Sequence, residues 1–556
     1  MDKNSWIHNY PKSIQYGLDF EKCGSVVNIL DDVFERYKDL PMVENMGRVL
    51  SYCDVDTLSR NFAAYLQNHT SLKPGDHIAI QMPNLLQYTV AMIGVIRAGM
   101  IVVNVNPLYT SYEMEFQLKD AKAKAIVILS NFAHNLEKVL DSTSIHTIIT
   151  TNVGDLLGGI RKHVVNFFTK YVKKLVPEYV LPNEISFNKV LQIGKRSAFV
   201  KIEPLKTDTA AIQYTGGTTG ISKGAMLTHY NIASNIEQMK TWLCARLTES
   251  KEILINPLPL YHIFSFTVNL TMMSIGACSV LITNPRNINN VISVLRKHKF
   301  TCFVGVNVLY NTLLSHKKFL KLNFSSLKAS MSGGTALHDI VAKRWEKVTG
   351  TPLVEAYGLT EASPGVICGA VDGTHRIGTV GVPIPGTSVK ILDDNGNEVN
   401  CNMPGSLFIK GPQVMKGYWQ QPEETTKVFK DGWLETGDIA LMDKDGFFKI
   451  VDRKKEIIDV SGFNVYPSEI EKVVSSHHKV QEVGVIGVPY KNCNEAIKLY
   501  IVKRDQSLSK EEIIEYCKER LTKYKVPKFV EFRESLPKSN VGKVLHRILK
   551  EELMRS

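Results

Sequence analysis

The chain has 556 residues, of which 44% are hydrophobic and 22% charged, with 67 Lys and Arg against 55 Asp and Glu, a net charge of +12. That length exceeds what one core usually supports, so two or more domains are expected, and the balance of residues is ordinary for an enzyme. The positive charge favours anionic partners without choosing among nucleotides, acidic lipids and nucleic acid, and nine scattered cysteines with no Cys-x-x-Cys spacing make a reducing cytosol and no structural zinc the default.

The first residues, Met-Asp-Lys-Asn-Ser-Trp, contain no apolar segment of signal-peptide length, so secretion is not expected. From His77 the pattern reads strand (77–82), amphipathic helix (84–99), strand (101–105), with further strands at 125–129 and 147–150. This alternation predicts parallel βαβ architecture. Residues 160–175 interleave Ile160, Val164, Phe167, Phe168, Tyr171, Val172 and Leu175 with Arg161, Lys162, Lys170, Lys173 and Lys174. Such a basic amphipathic helix either docks its stripe on the protein's own core or lies on an anionic bilayer.

From Thr207 the α/β alternation restarts and continues to about Val371, which reads as a second α/β unit. Within it stands Tyr214-Thr-Gly-Gly-Thr-Thr-Gly-Ile-Ser-Lys-Gly-Ala225. Glycines let backbone N–H groups crowd an anion, hydroxyls add donors that rotate to suit, and Lys223 supplies a point charge, so the segment reads as a phosphate cradle. It is not a Walker loop, because Lys223 precedes Gly224 and the flanking residues predict a strand on each side rather than a following helix. Residues 253–285 lack any Asp, Glu, Lys or Arg, but Pro257, Pro259, His262 and Gly276 interrupt them. A buried strand, loop and helix is therefore expected in place of a membrane span, offering wall for an apolar tunnel. Between 378 and 452 short strands and the turn signals Asp393-Asp-Asn-Gly396 and Asp443-Lys-Asp-Gly446 predict a small β-rich barrel or sheet. The last hundred residues alternate on a smaller scale, with helices near 468–475 and 509–522 and strands near 480–487 and 497–502.

Five further constellations follow the cradle in order: Pro259-Leu-Tyr-His262, Glu355-Ala-Tyr-Gly-Leu-Thr-Glu361, Gly432-Trp-Leu-Glu-Thr-Gly-Asp438, Asp452-Arg-Lys-Lys455 with Ser461-Gly-Phe-Asn-Val-Tyr-Pro467, and Pro537-Lys-Ser-Asn-Val-Gly-Lys543. Together they resemble the adenylate-forming superfamily, and the chain is most similar to its bacterial long-chain fatty acid–CoA ligases. The resemblance implies an α/β fold: a large N-terminal AMP-binding domain (1–452) of two α/β subdomains plus a small β-barrel, and a smaller mobile α+β C-terminal domain (453–556) with a hinge near Lys455. It implies ATP, CoA and a long-chain fatty acid as substrates, Mg²⁺ as cofactor, and a cytoplasmic location, with peripheral contact at the membrane through 160–175 left open. No nucleic acid is expected as partner; a homodimer is left open. A carrier-loading acyl-AMP ligase and a non-catalytic membrane sensor of fatty acid or nucleotide are the rival functions.

The same resemblance implies roles residue by residue. ATP would be held by Tyr214, Thr215, Gly216, Gly217, Thr218, Thr219, Gly220, Ile221, Ser222, Lys223, Gly224 and Ala225, by Gly333, Gly334 and Thr335, and by Glu355, Ala356, Tyr357, Gly358 and Thr360. Asp438 and Arg453 would reach the ribose, and Tyr357 would stack on adenine. Thr215 and Glu361 would hold the metal, an oxygen set that suits a hard cation. Lys543, with Glu361 and His262, would be catalytic; His262 and Gly305 would border the acyl group, and Gly462 and Phe463 the CoA. A fatty carboxylate is already a nucleophile at pH 7, so the site needs charge neutralisation and alignment rather than a general base.

Overall fold

The computed structural model describes residues 6–14, 17–215, 222–460, 463–490, 493–539 and 542–555. The βαβ reading of the N-terminal part holds. Strands His77–Gln81, Ile101–Asn104, Ala125–Leu129 and Thr147–Thr151 pair in parallel, as alternating strands and crossover helices dictate. They belong to an eight-stranded sheet. A nine-stranded sheet faces it, with the parallel strands Ile253–Asn256, Cys278–Leu281, Cys302–Gly305, Ala329–Gly333 and Leu353–Gly358 at its centre.

The division of strands between the sheets differs from the sequence reading. Thr209–Thr215 and Lys223–Thr228 form an antiparallel hairpin on the first sheet, while the early hairpin Pro41–Asn45 and Arg48–Ser51 joins the second beside Cys278–Leu281. Apolar periodicity reports that a strand is half-buried or buried but not which neighbour it pairs with. The helix expected to be amphipathic, Leu86–Arg97, is buried on every side because it lies between the sheets. Its one charge, Arg97, meets Asp56 at 2.7 Å and Asp31 at 3.1 Å, which offsets a charge that water cannot reach.

Residues 253–285 form a strand, a loop, the helix Ile263–Ser274 and a second strand, nearly all buried. No helix among the described residues is long and apolar enough to cross a membrane. The β-rich part takes the form of a five-stranded antiparallel sheet, Ser388–Leu392, Gly405–Lys410, Phe429–Lys430, Trp433–Met442 and Phe448–Arg453; among the described residues no pairing between its outer strands closes it into a barrel. Both predicted turns form: Asp393 accepts from the Asn395 and Asn397 amides, Asp443 from the Asp445 and Phe447 amides. Beyond residue 453, helices Pro467–Ser475 and Lys510–Lys518 pack on a three-stranded sheet of Val480–Tyr490, Cys493–Lys503 and Phe529–Arg533.

The basic segment forms a helix, Gly159–Phe167, continued by a π-helical turn to Val172. It is anchored by polar contacts: Asn166 accepts the Gly154 amide at 2.7 Å and donates to Asp155, and Arg161 donates to the Gly47 carbonyl. Its apolar stripe points outward, from Ile160 at 81% exposure through Val164, Phe167, Phe168, Tyr171 and Val172 to Leu175. Only Val165 packs on the core among the residues of this helix. Of the two readings of this stripe, docking on the protein's own core is not what the structure adopts.

Candidate active site

One cavity of about 1270 Å³ opens between the sheets and the C-terminal part, and the ordered motifs converge on it. The hairpin brings Thr215 opposite Lys223 and Tyr214 opposite Gly224, so the two ends of the cradle meet at the cavity wall. Ser222 donates its hydroxyl to the Thr215 carbonyl, which ties those ends together. Gly216, Gly217, Thr218, Thr219, Gly220 and Ile221 lie outside the described residues, as does Gly462. Lys223 forms an ion pair with Glu424 and stands over the ring of Tyr418, 5.1 Å from its centroid. Tyr418 in turn donates to Glu361 at 2.8 Å. Sequence reasoning passed over Tyr418, because it reaches the site through the pairing of Gly417–Tyr418 with Ala225–Met226, a contact no local pattern announces.

The nucleotide end is built where strands finish. Gly333 and Ala356 are paired neighbours and both face the cavity, with Gly334, Tyr357, Gly358 and Thr360 around them. Gly334 adopts φ +75°, a conformation that costs glycine nothing. The Thr335 hydroxyl beside it is buried with no hydrogen-bond partner among the described residues. Antiparallel pairing sets Asp438 opposite Arg453, whose Nε meets the carboxylate at 2.7 Å; the Tyr357 hydroxyl donates to its other oxygen at 2.5 Å. Burial beside Asp438 raises the Tyr357 phenol above its ordinary range, so it stays a donor. Asp438 itself sits just behind the wall formed by Thr436 and Gly437.

Two expected site residues face away from the cavity. Along a strand successive side chains alternate faces. Val304 and Ala356 face the cavity, so Gly305 and Glu355 face the opposite side of the sheet. A Cβ on Gly305 would meet the Tyr310 ring at 3.0 Å, so this glycine does not make room for an acyl chain. Glu355 accepts the Leu337 amide at 2.9 Å, and burial raises its carboxyl to about 7. Gly224 and Ala225 likewise lie in the strand behind the wall, packed on Ile212 and Tyr214 and in the core.

Gly333 does look into the cavity, where a Cβ would strike Phe264 at 2.9 Å. His262 closes a turn on the Pro259 carbonyl, and its Nδ1 accepts the Phe264 amide at 3.4 Å, which leaves the proton on Nε2. Desolvation lowers its pKa to about 4, so it faces the cavity as a neutral donor. Below it the wall turns apolar. Asn235, Met239, Leu243 and Leu247 recur every fourth residue along helix His229–Leu243 and its last turn, facing Val268 and Met272 of the helix Ile263–Ser274 and Val304 and Met331 of the sheet. Leu254, Cys302 and Ala329, paired side by side, form the floor and are all buried. These wall residues read in the sequence as helix and strand core, which is why they were not singled out.

Cations enter from the C-terminal side. Lys543 lines the cavity with Arg453 and Lys455. Burial, Arg453 and Lys543 lower the Lys455 ammonium to about 8, although Glu456 opposes this. Phe463 is elsewhere: it is 56% exposed and stacks on Tyr524 at 4.7 Å. An ion pair across the cleft, Lys472 to Asp339 at 3.0 Å, is solvent-exposed and so contributes little. The oxygen donors on the wall, the Thr215 hydroxyl and the Glu361 carboxylate, are too few for a closed metal cage. They suit Mg²⁺, which keeps waters and takes its remaining ligands from phosphates.

The model of the AMP-binding enzyme family matches residues 30–419, and that of the AMP-binding enzyme C-terminal domain matches 469–543. The long-chain-fatty-acid–CoA ligase of Yersinia pestis is 51% identical over 548 residues, covering 98% of both chains. The proteins of the same name from Haemophilus influenzae and Bacillus subtilis are 48% and 37% identical, each again across 98% of both chains. Among solved structures, ATP-bound MatB from Rhodopseudomonas palustris is 27% identical with a TM-score of 0.80, covering 95% of this chain and 98% of that one. An anthranilate CoA ligase, AuaEII, in complex with anthranoyl-AMP shares the fold at 22% identity, with a TM-score of 0.85 and coverage of 97% and 99%. With a cavity that joins a cationic, hydroxyl-rich head to an apolar tail, and with relatives matched from end to end, the chain belongs to the AMP-binding enzyme family and, within it, to the group of long-chain-fatty-acid–CoA ligases.

Proposed function

We infer that the protein joins a long-chain fatty acid to CoA in two steps, using ATP to form an acyl adenylate and pyrophosphate and then exchanging AMP for the CoA thiol. The observation that carries this reading is the cavity in which Lys543, Arg453, Thr215 and Lys223 stand at one end and the Met239, Leu243 and Met331 wall at the other. A carboxylate seated where these zones meet has its tail in the apolar part and its oxygens beside His262 and Lys543. The His262 Nε2 proton orients one oxygen, and the Lys543 ammonium offsets the negative charge that accumulates as the carboxylate meets the α-phosphate. Tyr357 and Arg453 fix Asp438 for the ribose, and Lys223 leaves Glu424 for the departing phosphates. Thr215 and Glu361 would hold Mg²⁺, which would supply charge neutralisation on the phosphate oxygens.

The second step needs a different arrangement, because Phe463, expected beside the CoA with Gly462, stands outside the cavity. We place a hinge at Lys455 and treat 1–452 and 453–556 as the units that move about it; the exposed Lys472–Asp339 pair offers little resistance. The outward stripe of 160–175, flanked by five cations, is the surface we assign to peripheral contact with an anionic bilayer. The test is to incubate the purified protein with palmitate and ATP, with and without CoA. Palmitoyl-CoA and stoichiometric AMP are expected; pyrophosphate release without any thioester would point to a carrier-loading ligase, and absence of both would overturn the reading.

A further inference from the structure

Three residues beyond Lys543, the imidazole of His546 is 8% exposed and opens the last helix, His546–Arg555. Its Nδ1 lies 2.9 Å from Glu456 Oε2 and its Nε2 2.7 Å from Glu471 Oε1. A neutral imidazole has one N–H, so two carboxylates on opposite nitrogens call for the imidazolium. Burial pulls this group down, but the charges of Glu471 and Glu456 and the hydrogen bonds to both carry it up to about 10. Burial likewise pushes Glu456 up, yet His546, Lys543 and Arg453 carry it down to about 2.

The three elements joined here have separate tasks. Glu456 directly follows Lys455 in the turn Lys454–Glu456, and Glu471 belongs to the helix Pro467–Ser475, where it also accepts the Val485 amide at 3.0 Å. His546 closes the loop that presents Lys543. The described residues on either side of it are bonded to one another, Ser539 N to the Lys543 carbonyl at 2.7 Å and Leu545 N to the Pro537 carbonyl at 2.9 Å, which couples Lys543 to the start of the last helix. Lys543 and His546 line the same cavity.

We propose that His546 is a positioning residue for adenylate formation, bridging Glu456 and Glu471 so that the loop holds Lys543 over the cavity. The inference rests on the ligase reading above. Its physical core is competition for a cation. Glu456 already feels the Lys543 charge, so a Glu456 left without its imidazolium would draw the Lys543 ammonium to itself and away from the carboxylate and α-phosphate. The thioester step, in which Lys543 is withdrawn, has no use for the bridge.

The experiment compares wild type, His546→Gln, His546→Arg and Glu471→Gln in two assays: palmitate-dependent pyrophosphate release without CoA, and conversion of preformed palmitoyl-AMP to palmitoyl-CoA. Glutamine fills similar space but carries no charge, and with both its N–H donors on one nitrogen it cannot reach the two carboxylates from opposite ends as the imidazolium does. His546→Gln is expected to lower the first rate by roughly 10²-fold, the effect of a misplacement of about 1 Å, and to leave the second within about twofold. His546→Arg, whose planar fork can serve both carboxylates, restores most of the first rate. Glu471→Gln loses one arm and shows an intermediate fall in the first assay alone, which keeps the idea testable if His546→Gln does not fold. Equal losses in both assays, no loss in either, or failure of His546→Arg at unchanged melting temperature would overturn the proposal. A wild type inactive in both assays would overturn the ligase reading and this inference with it.

Discussion

The floor of the apolar wall offers the sharpest prediction. Ala329 stands four residues below Gly333 on one strand, about 13 Å at ~3.3 Å per residue, and Leu247 stands twelve residues beyond Asn235, about 18 Å at ~1.5 Å per residue. A saturated chain advances about 1.3 Å per methylene from carbon–carbon bonds of ~1.5 Å, so the space takes roughly ten to fourteen methylenes. Ala329→Leu adds three carbons at this floor and removes room for about two or three of them. At about 0.8 kcal/mol per buried CH₂, acids long enough to reach the floor lose about 1.6 to 2.4 kcal/mol of binding, whereas shorter acids lose nothing. The ratio of kcat/KM for palmitate over decanoate should therefore fall roughly 15- to 60-fold, since ~1.36 kcal/mol is tenfold. Overpacking could lower stability by about 1 to 3 kcal/mol, but a ratio measured on one preparation is independent of the folded fraction. A uniform drop across the C8 to C18 panel, or an unchanged ratio, would refute the placement of the acyl tail.

Four other outcomes follow. Lys543→Ala should abolish adenylate formation while preformed acyl-AMP still reacts with CoA; parallel loss of both steps would contradict two arrangements of the C-terminal part. Tyr357→Phe removes one donor from the buried Asp438, a change of about 1 to 3 kcal/mol, so KM for ATP should rise roughly 5- to 150-fold with little change in KM for palmitate. Burial and the neighbouring cations bring Lys455 to about 8, below its ordinary 10.5, and polyphosphate raises it again, so ATP binding at pH 8 should take up about half a proton, read as a buffer-dependent calorimetric enthalpy that Lys455→Ala abolishes. Replacing Phe167, Phe168 and Tyr171 by Glu should abolish co-sedimentation with phosphatidylserine vesicles and leave turnover of a detergent-dispersed acid unchanged.

Much of this site was legible in the residues. The cradle announced a strand on either side because its flanks were apolar and turn-poor, and the hairpin formed. The uncharged 253–285 segment announced a buried strand and helix because prolines and a glycine break any longer span. What stayed hidden was direction. Gly305 and Glu355 sit inside motif-bearing strands, yet the two-residue alternation turns both away from the cavity, and proximity along the chain cannot say which face a strand will show. Met239 and Leu243 carry the same pattern whether they face a neighbouring helix or a ligand. Tyr418, Glu424 and His546 depend on partners far off in the chain, respectively Glu361, Lys223 and the two carboxylates Glu456 and Glu471. Likewise the outward stripe at 160–175 was decided by the polar anchors Asn166 and Arg161, which periodicity does not weigh.

The floor also sets a condition on departure. Leu254, Cys302 and Ala329 line the apolar end and are buried; with the tail seated against them, the product is expected to retreat along the path by which the substrate arrived. Each methylene that tightens the grip by about 0.8 kcal/mol slows that retreat about fourfold unless the emerging tail meets an apolar receiver. Turnover on the longest acids is then governed by unloading rather than chemistry. It should show a pre-steady-state burst that shrinks when vesicles or an acyl-binding protein are supplied. The depth that confers preference for long chains is thus also the brake on their release.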